Sequence, residues 1–224
     1  MMPGSRRAYA LLLGAAPGLD KELGSDIALL QALDAVDEIH VRVPGPDAEA
    51  IRGLVSTNSW EKVAGVSAAQ ATRDATLFDS LTVIRSTAGD EDLVLISDVE
   101  HRSLTEPTVA SCLSVAAEQG AAILASQVGG DVIHTNRAGV IDGLPRVGWT
   151  FLAAGLLATQ FSRLFDLYDW AATVARDSIE SPYRWSLSQL KAVVLVPNHD
   201  GGVDLASDLT SDPPTEGQVA EGSA

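Results

Sequence analysis

Two carboxylates set two positions apart, Asp98 and Glu100, follow directly on the apolar run Leu93-Val94-Leu95-Ile96. A short run of leucine and β-branched residues predicts a strand buried on both faces. Open α/β sheets receive their ligands at the C-terminal ends of such strands. Carboxylates on a loop there are donors that Mg²⁺ takes together with substrate phosphates, since the ion needs only one or two of them and keeps several waters. A plainer reading stays open beside this one, in which Asp98 caps the loop before the helix that opens at Thr105-Glu106-Pro107. A second candidate follows the first strand, where Gly14 and Gly18 let the backbone approach a phosphate and the next helix supplies its positive end. A plain tight turn is the alternative there.

These residues need a frame, and hydropathy supplies one. Strands are predicted at 9–13, 38–43, 60–63, 92–97, 121–125 and 192–196. Helices are predicted with Ile27, Leu29, Leu30, Leu33 and Val36 at helical spacing, and at 47–55, 68–84, 105–119, 153–158 and 162–178. Ser25 and Asp26 are candidate caps of the first helix. Residues 131–134 and 140–141 read as a hairpin around Asn136-Arg137-Ala138-Gly139. Strands alternating with helices imply right-handed crossovers, so the fold class is α/β: one domain, with a mostly parallel twisted sheet covered by helices on both faces. The domain is expected over residues 8–209, after a loose leader of residues 1–7. The Gly-, Asp-, Pro- and Glu-rich stretch 210–224 lacks the apolar surface to order itself.

Beyond this frame, the chain resembles the 2-C-methyl-D-erythritol 4-phosphate cytidylyltransferases, enzymes of isoprenoid precursor synthesis with a Rossmann-like nucleotidyltransferase fold. The family's central strand ends in His-Asp-x-Ala-Arg-Pro, and Ser97-Asp98-Val99-Glu100-His101-Arg102 stands in its place. The Asp is kept. Arg102 matches the family's Arg after a shift of one residue, with His101 at the aligned position. The family's Gly-Gly turn, then Arg-x-x-Ser-Val-x-x-Gly-Leu, is similar to Gly65-Val66 followed by Arg73, Thr76, Leu77 and Leu81, with Ser80 where the second Gly would be. The resemblance makes Gly65, Arg73 and Thr76 nucleotide-binding candidates, with the Thr76 hydroxyl reading the base. It makes Lys21 and Arg102 the catalytic cations, and Asp98 and Glu100 the Mg²⁺ ligands. The family's first loop is longer and carries an Arg and a Lys that clamp a triphosphate. Here only Lys21 remains, flanked by Asp20 and Glu22. Further on, Val132 replaces a family hydroxyl, and Asp204 stands close to the place of a late Lys. The resemblance therefore implies a degenerate member whose CTP-dependent transfer is weak or lost, holding CTP or another nucleotide, as a homodimer or beside a partner protein. The alternative it leaves is an active Mg²⁺-dependent nucleotidyltransferase or sugar-nucleotide transferase with an altered substrate.

Composition narrows the partners. The chain of 224 residues carries a net charge of −15, which repels nucleic acid and anionic membrane alike. No apolar run reaches the ~20 residues of a membrane span. Arg6-Arg7 followed by Ala8 to Leu13 superficially resembles a signal peptide, but Gly14 stops the run and Asp20, Lys21 and Glu22 follow, so it is read as a strand of a cytoplasmic protein. The single cysteine, Cys112, excludes a disulfide framework and is expected in the core.

Overall fold

A computed structural model describes residues 6–14, 20–99, 104–127, 134–135, 141–143, 151–174 and 193–197. Its spine is a seven-stranded sheet in the order β3-β2-β1-β4-β8-β5-β9. The strands are β1 (Ala8–Leu13), β2 (Glu38–Val43), β3 (Val63–Ala68), β4 (Leu93–Asp98), β5 (Ala121–Gln127), β8 (Phe151–Gln160) and β9 (Val193–Pro197). β1 lies parallel to both β2 and β4, and β9 lies parallel to β5. β8 opposes its neighbours β4 and β5. The short pair β6 (His134–Thr135) and β7 (Ile141–Gly143) is an antiparallel hairpin apart from the sheet. The sheet is thus α/β and mostly parallel, as its alternating pattern implies.

Period-two alternation divides the core. Ala8, Ala10 and Leu12 of β1 pack on one face with Leu23, Ile27 and Leu30 of α1 (Asp20–Ala32), Ile51 of α2 (Gly45–Asn58), and Val109, Cys112 and Ala116 of α4 (Glu106–Gln119). Tyr9, Leu11 and Leu13 pack on the other with Leu77, Leu81 and Ile84 of α3 (Arg73–Ile84), and Phe161, Leu164 and Phe165 of α5 (Phe161–Val174). Cys112 sits in the core, and burial pushes its thiol up to about 12. Among the described residues no helix is long and apolar enough to cross a membrane.

Local chemistry sets most element ends. Thr105 and Thr108 form a reciprocal capping box at the start of α4, with Pro107 in its first turn, and Gly120 ends it in the left-handed region at φ 92°. Four expectations need correction. α1 begins before Ser25 and Asp26, because Leu23 joins Ile27 and Leu30 on one buried stripe and pulls the preceding turn into the helix. β3 is Val63–Ala68 rather than 60–63; Trp60 instead lies in the preceding turn, packed on the core. α3 correspondingly starts only at Arg73, capped by the Thr72 hydroxyl, which accepts from the Ala75 amide at 3.1 Å. Residues 153–158, read as a helix, are the middle of β8. Their Ala and Leu side chains favour helix in isolation, but a place between β4 and β5 buries Leu156, Leu157 and Ala158 and satisfies the backbone in the ladder. The strand accommodates this with a bulge: Ala153 faces Ala125 and Leu157 faces Ile123, around Gly155 at φ 74°.

The leader's last two residues are tied down. The Arg7 amide donates to Asp92 Oδ1 at 2.9 Å, and Arg6 reaches the Ala117 carbonyl at 2.6 Å. The stretch 210–224 lies outside the described residues.

Candidate functional site

The parallel register puts Ser67, Arg42, Leu13 and Asp98 in one row across β3, β2, β1 and β4, at the strands' C-terminal edge. Leu13 belongs to the core face covered by α3, and the alternation along β2, β3 and β4 puts Arg42, Ser67 and Asp98 on that face too. α3 begins above this row and presents Arg73, Thr76 and Ser80 to it. Between helix and row lies a cavity of about 430 Å³, walled by Leu13, Gly14, Pro44 and the turn 69–72, with Arg42, Gln70, Thr72, Arg73, Thr76 and Asp98 as its polar residues. It opens where the strand order reverses, with β1 leading to β2 on one side and β4 on the other. That is the place where open sheets of this kind hold ligands.

The charges in the cavity are cross-paired between helix and sheet. Arg73 of α3 binds Asp98 of β4 bidentately, Nε to Oδ1 at 3.1 Å and Nη2 to Oδ2 at 2.9 Å. Arg42 of β2 meets Asp79 of α3 at 3.1 Å. It also donates from Nε to Ser80 Oγ at 2.9 Å and from Nη1 to Ser67 Oγ. Each guanidinium therefore has its charge balanced by a carboxylate within reach.

The structure brings Gly14, Arg73, Thr76 and Asp98 to this one cavity. The Thr76 hydroxyl is already employed: it donates to the Thr72 carbonyl and accepts from the Gln70 amide, both at 2.9 Å. It holds the wall of the cavity, and its single proton is not free for a ligand. Gly65 lies two residues back from Ser67, opposite His40 in mid-strand, and does not line the cavity. His40 is buried there, which lowers its pKa. Lys21 is on α1, which packs on the opposite face of the sheet. With Glu22, Ser25, Asp26, Val99 and Leu104 it borders a separate hollow. Asp26 in that hollow is raised to about 6, first by burial and then by Glu22 one helical turn away. Gly18, Glu100 and Arg102 lie outside the described residues.

A divalent cation at Asp98 would have to share the carboxylate with Arg73, which donates to both of its oxygens and already balances its charge. Among the described residues no group of three His, Cys, Asp or Glu side chains converges on a point that could hold a metal ion. The donor set described does not fit an Mg²⁺ site as it stands.

Two features of the cavity escaped the motif reading. One is the turn 69–72, which lies immediately before Arg73 rather than at Gly65-Val66. The other is Arg42, the last charged residue of β2 before Pro44. Its signal was the alternation Glu38, His40, Arg42, which sets three polar side chains on one face of a strand that is otherwise Ile, Val and Val.

No protein-family model matches the sequence, and no curated protein matches it. The fold, in contrast, has close counterparts among solved structures. The chain is similar to a 4-diphosphocytidyl-2C-methyl-D-erythritol synthase from Anaerococcus prevotii, with a TM-score of 0.74 and 14% identity over 88% of this chain and 89% of that one. It is also similar to the 2-C-methyl-D-erythritol 4-phosphate cytidylyltransferase of Francisella tularensis, with a TM-score of 0.68 and 13% identity over 91% and 96%. The cytidylyltransferase of the same description from Thermus thermophilus gives 0.60 and 20% identity over 89% and 94%. Over 88–91% of its length this chain has the fold of the methylerythritol phosphate cytidylyltransferases.

Proposed function

We propose that this protein binds a cytidine nucleotide in the cavity beneath α3, as a cytidylyltransferase-like protein whose own nucleotidyl transfer is weak or lost. The observation that carries this reading is the state of the cations. In transfer, a nucleophilic phosphate attacks the α-phosphorus of CTP and pyrophosphate leaves, and the negative charge spread over the oxygens needs fixed positive groups nearby. Here Arg42 and Arg73 are each balanced by a carboxylate, and Lys21 belongs to the other face of the sheet. What remains is a cavity of nucleoside size at the ligand-binding edge of the sheet, polar at its base and rim and apolar at its walls.

The test is a pair of measurements on the purified protein. Calorimetric titration should detect CMP binding, with CTP gaining less than about tenfold over CMP because, among the described residues, the cavity holds no unbalanced cation for the extra phosphates. With CTP, methylerythritol phosphate and Mg²⁺ supplied together, pyrophosphate release should stay well below ~1 per second. Turnover above that rate would overturn the loss of transfer, and absence of any nucleotide binding would overturn the whole reading.

A further inference from the structure

Among the described residues, every positive feature of the cavity is met by an acid of this chain. Arg73 is held bidentately by Asp98, and Arg42 meets Asp79 at 3.1 Å. The third positive feature is the N-terminal end of α3, where Thr72, Arg73 and Thr76 border the cavity and the aligned amides favour an anion. Thr72 already caps this end, accepting from the Ala75 amide, and Asp74 puts a carboxylate into its first turn. The Tyr168 hydroxyl of α5 donates to Asp74 Oδ1 at 3.0 Å and fixes that carboxylate there. A phosphate that enters therefore has little to gain. At Arg73 it shares a guanidinium that Asp98 already neutralises, and repulsion from that carboxylate offsets the attraction. The net charge of −15 adds a field that repels anions further. An uncharged ligand meets none of this, and a lining that is apolar at Leu13, Pro44 and Ala69 with a few polar residues beside them is of the kind such ligands fill.

We infer that the cavity recognises an uncharged nucleoside: it holds base and ribose, and a phosphate attached to them adds no affinity. The inference rests on the nucleotide reading above and deepens it, because it names the part of the nucleotide that is bound. The ligand class follows from internal compensation rather than from missing cations. Two arginines and a helix N-terminus stand at the cavity, a set that would suit a phosphate, and Asp79, Asp98 and Asp74 cancel them one by one. Removing one of these acids should therefore uncover a phosphate preference that the unaltered chain lacks. Asp98 is the acid to remove, since it and Arg73 both line the cavity and Arg73 is 32% exposed.

The experiment is calorimetric titration of cytidine, CMP and CTP, without divalent metal, into the full chain and into Asp98→Asn. In the unaltered protein CMP and CTP should bind no more than about threefold tighter than cytidine. Their ratio to cytidine should also stay constant between about 20 and about 300 mM salt, because no new ion pair forms on binding. In Asp98→Asn the Arg73 guanidinium has charge to spare, and CMP should bind at least about tenfold tighter than cytidine, with an advantage that falls as salt rises. Comparing ligands within one protein keeps the ratio readable where the variant is less stable, and the unaltered protein tests the inference even where the variant fails to fold. CMP or CTP binding more than about threefold tighter than cytidine to the unaltered protein overturns the inference and leaves nucleotide binding in place. A folded Asp98→Asn protein whose ratio stays below about tenfold does the same. Binding of none of the three ligands overturns both.

Discussion

Removing Arg73 asks most directly what Asp98 is for. The pair is bidentate, with side-chain exposures of 32% for Arg73 and 20% for Asp98, so it lies between the two regimes for which energies are known. Breaking a fully buried pair costs about 3–5 kcal/mol, and an exposed pair contributes about 0.2–1 kcal/mol. An intermediate coupling of about 1–2 kcal/mol is expected here. Arg73→Met keeps the length of the side chain and strands the carboxylate, and Asp98→Asn keeps its shape and strands the guanidinium. The double variant removes both charges, so a double-mutant cycle isolates the coupling from whatever else each residue touches. In a chain of this size each kcal/mol moves Tm by about 2–4 °C, so each single variant should melt several degrees lower and the double variant should recover part of the loss. A second readout follows from the same geometry. Millimolar Mg²⁺ should leave the unaltered protein's Tm unchanged, because the Arg73 guanidinium already neutralises the Asp98 carboxylate. In Arg73→Met the freed carboxylate should bring a stabilisation by Mg²⁺ that Asp98→Asn abolishes. A coupling below about 0.3 kcal/mol, or an equal Mg²⁺ shift with and without Arg73, would refute the reasoning.

Other parts of the structure make independent predictions. Asp26 has a folded pKa of about 6 against 3.8, so the fold binds its proton more tightly than the unfolded chain does. Its penalty grows as pH rises from about 4 to about 6 and is fully present above that. Discounted for its partial exposure, Asp26→Asn should stabilise by about 1–2 kcal/mol at pH 7 and by nothing near pH 3.5, which denaturation at the two pH values will show. Thr76→Val removes the acceptor of the Gln70 amide, so it should cost about 1–3 kcal/mol in denaturant unfolding and weaken CMP binding by loosening the turn 69–72. Gly120→Ala forces a side chain into a φ of 92° and against the Arg163 guanidinium, so a loss of about 1–2 kcal/mol should appear in the same assay.

The parts of this fold legible in the sequence are those where local chemistry and tertiary burial agree. β1 and β4 are largely apolar runs because they are buried on both faces, and α4 is bracketed by a threonine cap and a left-handed glycine. Where they disagree, the sequence misleads. Residues 153–158 have the composition of a helix and become a strand because two neighbours need a partner between them, a requirement that no window of residues contains. The site divides the same way. Arg73, Thr76 and Asp98 stand out through motif spacing, yet what they do to one another is set by register: Asp98 closes β4 directly below the first turn of α3, and so the two charges meet. Arg42 stands in no motif. An arginine inside a strand reads as a solvent-facing interruption, and only the parallel pairing of β2 with β1 and β3 turns it into a buried donor beside Leu13 and Ser67. Asp79 and Ser80, two ordinary helix residues by sequence, hold it because α3 crosses above that pairing. The chemistry of this cavity is therefore a property of one row across four strands, and substitutions that shift the row, at Leu13 or Ser67 as much as at Arg42, should change what it binds before they change whether the chain folds.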